Sequence, residues 1–170
     1  MNEQRGFHQV AYVVTDLDAA VRSWADVLGV GPWQVWTMAA PTLLDQVYCG
    51  GPASFGFRHA LATSGHLQFE LVEPMYGPGV FADHLREHGP GAHHIGRIVD
   101  DHPAAAAELL DRGFVALQSG RFGASADGLF AYFAPPGGVG TTVELISPPS
   151  ERFAPDYVYP SPPTTDKVST

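Results

Sequence analysis

The chain has 170 residues, of which 45% are hydrophobic and 16% are charged, and its formal net charge at pH 7 is -9. These values exclude disorder throughout and disfavour a nucleic-acid partner, and the single Cys excludes an intrachain disulfide and a cysteine-based zinc site. No apolar run approaches the roughly 20 residues of a membrane span or the core of a signal peptide, so we expect a cytoplasmic protein without membrane contact.

The first half of the chain predicts a strand, a helix and three further strands. Phe7 to Val14 is rich in β-branched and aromatic residues, which is typical of a strand. A helix follows, with Thr15 or Asp16 placed to cap it and Gly29 placed to end it. Its apolar residues at helical spacing are Leu17, Ala20, Val21, Trp24 and Leu28. The three further strands are predicted at Trp33 to Met38, Ser54 to Leu61 and Leu67 to Val72.

The second half repeats this order. Ala92 to Val99 predicts a strand, and Asp100 or Asp101 is placed to cap a helix that Gly113 ends. The apolar stripe of this helix consists of Ala106, Leu109 and Leu110. Three more strands are predicted at Phe114 to Gln118, Leu129 to Ala134 and Thr141 to Ile146. Between the halves, VFADHLREHGPG predicts a short amphipathic helix.

The repeated order predicts an α+β fold of two βαβββ modules. QVAYVVTD, which begins at Gln9, aligns with HIGRIVDD, which begins at His94, strand on strand and cap on cap. The modules are expected in residues 1–74 and 91–148, with a connector helix in 75–90. A Pro-rich arm in 149–170 is expected to follow the surface and to end loosely. Two such modules usually form facing half-barrels around a central cup.

Four residues on the first and last strands of the two modules are candidates for a metal site in that cup. Side chains alternate between the two faces of a strand. The apolar residues that alternate with Glu70 and with Glu144 must pack beneath the helices, so both carboxylates point into the cup. Gln9 and His94 occupy equivalent positions on the first strands. Such oxygen and nitrogen ligands suit a divalent cation. A register slip of one residue would turn His8 inward instead of Gln9.

Four segments resemble the vicinal oxygen chelate superfamily, in the branch of glyoxalase I and methylmalonyl-CoA epimerase. They are FHQVAYVVTDLDAAVRSW, HLQFELVEP, GPGAHHIGRIVDD and GTTVELISPP, and the resemblance extends over about residues 7–148. It implies paired βαβββ modules that hold a divalent metal, which stabilises an enolate or a similar anion of the substrate. The ligand set Gln9, Glu70, His94 and Glu144 is similar to that of zinc-dependent glyoxalase I. The connector helix is more similar to the epimerases, whose general-base Glu has no counterpart in SFGFRHAL.

The resemblance implies a metal-dependent isomerase, epimerase or lyase that removes a proton next to a carbonyl. By analogy with glyoxalase I, Glu144 is the expected base and Glu70 is second. For His59, assistance from the neighbouring strand and a solvent-exposed role are both open. The expected partner is a small carbonyl or thioester substrate, and a homodimer is the usual arrangement. Zn, Ni, Co, Mn, Mg and Fe are not distinguished. Glutathione or coenzyme A would need basic residues to hold it. The candidates are Arg58, Arg97 and Arg121, although we expect each of them to be a surface residue without this role.

Three alternatives stay open. An inward His8 would form a set of two histidines and one carboxylate with His94 and Glu144, which suits Fe(II) and an extradiol-type ring-cleaving dioxygenase. A metal-free binding or resistance protein is the second alternative, against which four intact ligand candidates count. A metal-dependent resistance transferase of the fosfomycin type is the third, and for it the set has one carboxylate too many.

Overall fold

The structure is a computed structural model that describes residues 6–138 and 140–161. Its helices are α1 (Leu17–Leu28), α2 (Val80–His88) and α3 (His102–Asp111). Its strands are β1 (Gln9–Val13), β2 (Trp33–Met38), β3 (Leu44–Tyr48), β4 (Gly51–Pro52), β5 (Gly56–Ser64), β6 (Leu67–Tyr76), β7 (Gly91–Ile98), β8 (Val115–Phe122), β9 (Gly128–Ala134), β10 (Thr142–Ser147) and β11 (Tyr157–Tyr159). No helix in the described part of the chain is long and apolar enough to cross a membrane.

Local capping explains where the two larger helices begin. The Asp16 side chain accepts a hydrogen bond of 2.9 Å from Ala19 N, and that of Asp101 accepts one of 3.0 Å from Ala104 N. Each carboxylate therefore accepts a hydrogen bond from a free N–H group of the first turn and interacts favourably with the positive end of the helix dipole. Gly29 ends α1 in the left-handed conformation (φ 68°), as glycine does readily. Thus Asp16 and Asp101, rather than their neighbours, are the caps.

All strands form one mixed sheet, in the order β11-β2-β5-β6-β1-β7-β10-β9-β8-β3-β4. Within each half the first strand pairs in parallel with the last, β1 with β6 and β7 with β10. The halves join where β1 pairs antiparallel with β7. The architecture is therefore the α+β arrangement of paired βαβββ units that the sequence predicts, and the four central strands are those expected to carry the site.

Three strands lie where the sequence predicts none. β3 and β4 occupy the connection between two predicted strands of the first half, and β3 pairs with β8 of the second half. β11 lies in the Pro-rich arm and pairs with β2, at the opposite edge of the sheet. These strands pair only at sheet edges and show little alternation, so the sequence pattern did not reveal them. The loose end predicted for the arm lies outside the described residues.

The helices cover the two halves unequally. Leu17 and Val21 of α1 are fully buried in a cluster with Trp33 and Leu71, whereas α3 has no buried residue. Two positions of the predicted apolar stripes are wrong, because Leu28 is 61% exposed and Leu110 is 49% exposed. Helical spacing identifies the apolar face of a helix but does not show how much of that face the sheet covers.

Candidate metal centre

The four central strands, in the order β6-β1-β7-β10, enclose a small cavity at the seam between the halves. Its volume is about 80 Å³, and Glu70, Glu144 and Gln9 are among its lining residues. Each of these side chains is at most 5% exposed, and so is His94. Polar groups are rarely buried to this extent without a partner or a function.

Glu70, His94 and Glu144 converge on one point. His94 Nε2 lies 3.1 Å from Glu70 Oε2 and 3.2 Å from Glu144 Oε2. One nitrogen or oxygen atom from each of the three residues lies within 4.8 Å of the others, which is the spacing of atoms that share a metal ion. Among the described residues, this is the only such group of His, Cys, Asp and Glu.

Gln9 is turned into the same cavity from β1. Gln9 and Gly96 are direct partners in the pairing of β1 with β7. A Cβ atom on Gly96 would overlap the Gln9 amide oxygen and would lie 3.0 Å from the Gln9 Cβ atom, so only glycine leaves room for this side chain. Gln9 Nε2 donates a hydrogen bond of 3.0 Å to Gln68 Oε1, which leaves the Gln9 oxygen free to face the cavity.

His8 also lines the cavity, but its ring is not part of the cluster of His94 and the two carboxylates. His8 Nδ1 accepts a long hydrogen bond, 3.4 Å, from Ile98 N. The set of two histidines and one carboxylate that an inward His8 would complete is therefore not assembled. The cluster consists of one imidazole and two carboxylates.

The polar atoms of the cavity are short of hydrogen-bond partners. Within the described residues, six buried side-chain nitrogen or oxygen atoms have none: His8 Nε2, Gln9 Oε1, Glu70 Oε2, His94 Nε2, Arg97 Nε and Glu144 Oε2. Four of the six belong to the residues predicted as metal ligands. His94 Nε2 forms ion pairs with Glu70 Oε2 and Glu144 Oε2 at 3.1 Å and 3.2 Å but without hydrogen-bond geometry, and Gln9 Oε1 has no partner. Such a cluster of incompletely satisfied buried polar atoms indicates a site that a bound species would complete.

A bulge in β7 explains why two successive histidines are both buried. Ala11 pairs with His94 and Tyr12 pairs with Ala92, so His93 is an extra residue in the strand. The Nδ1 atoms of His93 and His94 lie 2.8 Å apart. A proton shared between these two atoms orients the His94 ring and leaves its Nε2 facing the carboxylates.

Helix α2 covers His93 from outside. Phe81 and His84 contact the His93 ring, each at 5.1 Å between ring centroids. Gln118 holds the start of α2, because Val80 N donates a hydrogen bond of 2.9 Å to the Gln118 side chain. The connector helix thus supports the candidate metal centre indirectly, through a histidine that the sequence did not single out.

The two carboxylates have opposite protonation tendencies. Burial by itself would raise the pKa of Glu70, but His59 and His94 lower it to about 2. His59 does this through a hydrogen bond of 2.7 Å from its Nδ1 to Glu70 Oε1. Burial raises the pKa of Glu144, and His94 opposes that rise only in part. Glu144 faces the buried phenol Tyr132 across the β9–β10 pair.

The paired histidines also differ. Burial, together with the neighbouring rings of His94 and His84, lowers the pKa of His93 to about 3, so His93 is neutral. Burial disfavours a charge on His94 as well, but Glu144 and Glu70 outweigh it and raise the pKa of His94 to about 9. Two carboxylates thus hold one positive charge on the imidazole, which a bound cation would replace.

Only some of the aromatic side chains on the strands line the cavity. Phe57 and Tyr132 line the cavity, whereas Trp33 and Phe133 are buried on the helix side of the sheet. Of the predicted basic residues, Arg58 is paired with Asp18 and Glu73, and Arg121 is paired with Asp45. Sequence reasoning missed Arg152, an arginine of the Pro-rich arm that lines the cavity.

The family follows from comparison with known proteins. Residues 8–133 match the family model of the Glyoxalase/Bleomycin resistance protein/Dioxygenase superfamily, and the chain belongs to that superfamily. No curated protein sequence matches the chain significantly.

Solved structures show the same fold. Methylmalonyl-CoA epimerase from Mycobacterium tuberculosis is 23% identical, with a TM-score of 0.59 over 85% of this chain and 88% of that one. A methylmalonyl-CoA epimerase in complex with methylmalonyl-CoA and NH4+ is 22% identical, with a TM-score of 0.62 over 86% and 96%. A variant of the Streptomyces coelicolor epimerase in complex with 2-nitronate-propionyl-CoA is 21% identical, with a TM-score of 0.62 over 87% and 97%.

Proposed function

We propose that this chain is a divalent-metal-dependent enzyme that removes a proton from a carbon next to a carbonyl group and returns it. The observation that carries the proposal is the convergence of four buried polar atoms that lack a hydrogen bond of good geometry, among the six such atoms in the described part of the chain. All four belong to Gln9, Glu70, His94 and Glu144. Two carboxylates directed at one point supply the negative charge that a cation needs, and imidazole and amide oxygen complete an oxygen and nitrogen donor set.

The chemistry divides between the cation and the chain. A bound divalent cation supplies Lewis-acid stabilisation of the negative charge that develops on a carbonyl oxygen. Glu70 and Glu144 are almost fully buried, so water screens their interaction with a bound charge less than it would at the surface.

We assign the proton transfer to Glu144 and the role of permanent anionic ligand to Glu70. Burial raises the pKa of Glu144, which makes it a better proton acceptor than an ordinary carboxylate. Glu70 is held ionised and is oriented by its hydrogen bond from His59, so we assign His59 a positioning role. Tyr132 remains a neutral phenol, because burial raises its pKa well above the usual value.

The size of the cavity favours a substrate with a small reacting group. A volume of about 80 Å³ is that of two or three liquid water molecules, so the part of a substrate that enters the cup is small. Similar folds are described with methylmalonyl-CoA and with 2-nitronate-propionyl-CoA, and we therefore place acyl thioesters first among the compounds to test.

Metal content and solvent exchange test this function together. Elemental analysis of the purified protein is expected to find close to one divalent metal ion per chain. Incubation in D₂O with a panel of carbonyl compounds and acyl thioesters is expected to place deuterium at the carbon next to the carbonyl group, and chelation should abolish that exchange.

The matched variants are His94→Ala, which removes a buried ligand, and His88→Ala, which removes an exposed histidine of α2. Only the first should lose metal. If His94→Ala retains metal as the wild type does, or if metal-loaded protein exchanges deuterium into no compound of the panel, the proposed function is wrong.

A further inference from the structure

The arm that follows β10 crosses the mouth of the cup, and its backbone is held on both sides of Arg152. The Glu151 carbonyl accepts a hydrogen bond of 3.0 Å from Ala124 N, in the turn between β8 and β9. The Phe153 carbonyl accepts one of 3.0 Å from Trp36 Nε1 on β2. Ala124 belongs to the second half of the molecule and Trp36 to the first. The arm therefore bridges the halves at the place where Arg152 lies.

Arg152, an exposed residue, borders three adjoining cavities. The innermost is the cup, the next is a space of about 40 Å³ that Trp36, Phe122 and Phe153 line, and the outermost is a groove of about 210 Å³. Leu61 also borders all three, so the cavities adjoin along one path from the metal centre to the surface. If a bound substrate is too large for the cup, the rest of the substrate has to extend along this path towards the surface.

The charges along the path favour an anion. Arg152 is the only Arg or Lys among the described residues that line these cavities, and the middle space and the outer groove have no Asp or Glu in their lining. Gln34, Thr63 and Gln68 add neutral hydrogen-bonding groups to the outer groove.

Most other arginines already have partners. Arg58, Arg86, Arg112 and Arg121 each form a salt bridge, whereas Arg152 forms none with any residue of the described ranges. In a chain with a net charge of -9, one unpaired guanidinium at the mouth of a buried site is a specific feature. Its planar donors match the oxygen atoms of a carboxylate or a phosphate.

We propose that Arg152 binds an anionic oxygen group of the substrate, which lies outward of the reacting carbonyl along this path, and that the arm thereby selects acidic substrates. The assignment of the reacting carbonyl rests on the proposed function, whereas anion binding by Arg152 does not. A carboxylate on the acyl group and a phosphate on a carrier such as coenzyme A are the two sources of such a group, and the experiment separates them.

The first experiment measures binding to metal-free protein, so that it is independent of catalysis. Calorimetric titrations with propionate and with inorganic phosphate compare the wild type with Arg152→Gln, Arg152→Lys and Arg22→Gln. Arg22 is an exposed arginine of α1, so its replacement removes the same charge away from the cup. We expect Arg152→Gln to weaken binding of the preferred anion roughly tenfold, Arg152→Lys to weaken it less, and Arg22→Gln to leave it unchanged. Equal affinities of wild type and Arg152→Gln for both anions would contradict the proposal.

The second experiment uses the metal-loaded enzyme and pairs of substrates that differ in one charge. Each pair consists of an acyl thioester with a free carboxylate and its methyl ester, carried either by coenzyme A or by a short uncharged thiol. For substrates that carry the anionic group bound by Arg152, Arg152→Gln should raise KM about tenfold and leave kcat unchanged. A rise confined to free carboxylates identifies the acyl group as the source, and a rise confined to coenzyme A carriers identifies the phosphate.

An equal rise in KM for charged and uncharged members would show that Arg152 acts through the shape of the arm, and it would overturn the proposal. Absence of exchange in every compound, together with intact anion binding at Arg152, would instead contradict the proposed function alone.

Discussion

The two halves of the molecule share one order of secondary-structure elements but surround their buried carboxylates with different side chains. In the first half, His59 on the neighbouring strand donates a hydrogen bond to Glu70 and helps to lower the pKa of that carboxyl to about 2. In the second half, the phenol Tyr132 lies directly opposite Glu144 on the neighbouring strand, and burial raises the pKa of Glu144. A symmetric cup thus contains one carboxylate suited to hold a cation and one suited to accept a proton.

The helices that cover the halves differ as well. α1 buries Leu17 and Val21 against the sheet, whereas α3 is rich in alanine and buries no residue. Beside α3 the sheet is covered so thinly that a groove of about 390 Å³ runs past Ala106, Leu110 and Phe133. The first half therefore has the firmer packing, and this difference is expected to show in unfolding measurements.

The largest expected effect concerns the two carboxylates. Glu144→Gln should retain metal and reduce deuterium exchange at the substrate carbon by about 10²–10⁴-fold, because the proton acceptor is lost. Glu70→Gln should instead reduce the metal content, because it removes a carboxylate that is ionised before the cation binds. Glu73→Gln, a change on the same strand as Glu70 but outside the cup, serves as the control. Full exchange by Glu144→Gln would show that the halves do not divide the roles in this way.

The contrast between the helices predicts unequal costs for the same truncation. Leu17→Ala leaves a cavity in a packed cluster and should reduce the free energy of unfolding by about 2–5 kcal/mol. Leu110→Ala removes a half-exposed side chain and should change it by only about 0.5 kcal/mol or less. Urea denaturation of both variants measures the difference, and similar costs would show that α3 packs as firmly as α1.

A third prediction concerns the first strands, where one half contributes Gln9 and the other His94. Gly96→Ala would displace the Gln9 amide without touching His94, and we expect it to weaken metal affinity by about tenfold. Gly91→Ala, on the same strand, adds a methyl group where nothing lies within 4 Å and is the control. Competition with a chromophoric chelator measures both affinities. Unchanged affinity in Gly96→Ala would remove Gln9 from the ligand set.

The smallest expected effect concerns the pH dependence of the first half. Arg58 and Tyr157 lower the pKa of Asp18 through hydrogen bonds to its carboxylate. A depressed pKa stabilises the fold at neutral pH, and this contribution is lost as the pH falls through the pKa of the folded state.

The wild type should therefore lose more stability than Asp18→Asn between about pH 5 and about pH 3. The difference should stay below about 1 kcal/mol, because Asp18 is 40% exposed. Asp111→Asn on α3 is the control in the second half, and thermal unfolding at each pH is the measurement. Parallel pH profiles for wild type and Asp18→Asn would show that this ion pair contributes nothing.

Strand alternation and the internal repeat predicted much of this molecule. They located the central strands and predicted that Glu70 and Glu144 point inward, because the apolar residues that alternate with each of them along its strand had to pack under the helices. The division between these two carboxylates could not be predicted, since it depends on His59, which reaches Glu70 from the neighbouring strand, and on the depth at which Glu144 is buried.

Other features depend on tertiary structure alone. One extra residue in β7 buries His93 beside His94, and a single inserted residue leaves no periodic signal. Arg152 lies 58 positions after His94 in the chain, and only the path of the arm brings it to the cup. The strand pairs at the sheet edges were missed for a similar reason, because they are short and their partners are distant.

The hairpin of β3 and β4 belongs by sequence to one half and by pairing to the other. Neither half, expressed as a separate fragment, would therefore complete its own sheet. Co-expressed fragments would become native only after the hairpin of the first fragment had paired with β8 of the second. During synthesis the hairpin must also wait for β8 to be translated, so the chain is expected to fold as one late and cooperative event, at the slow rate that distant pairings impose.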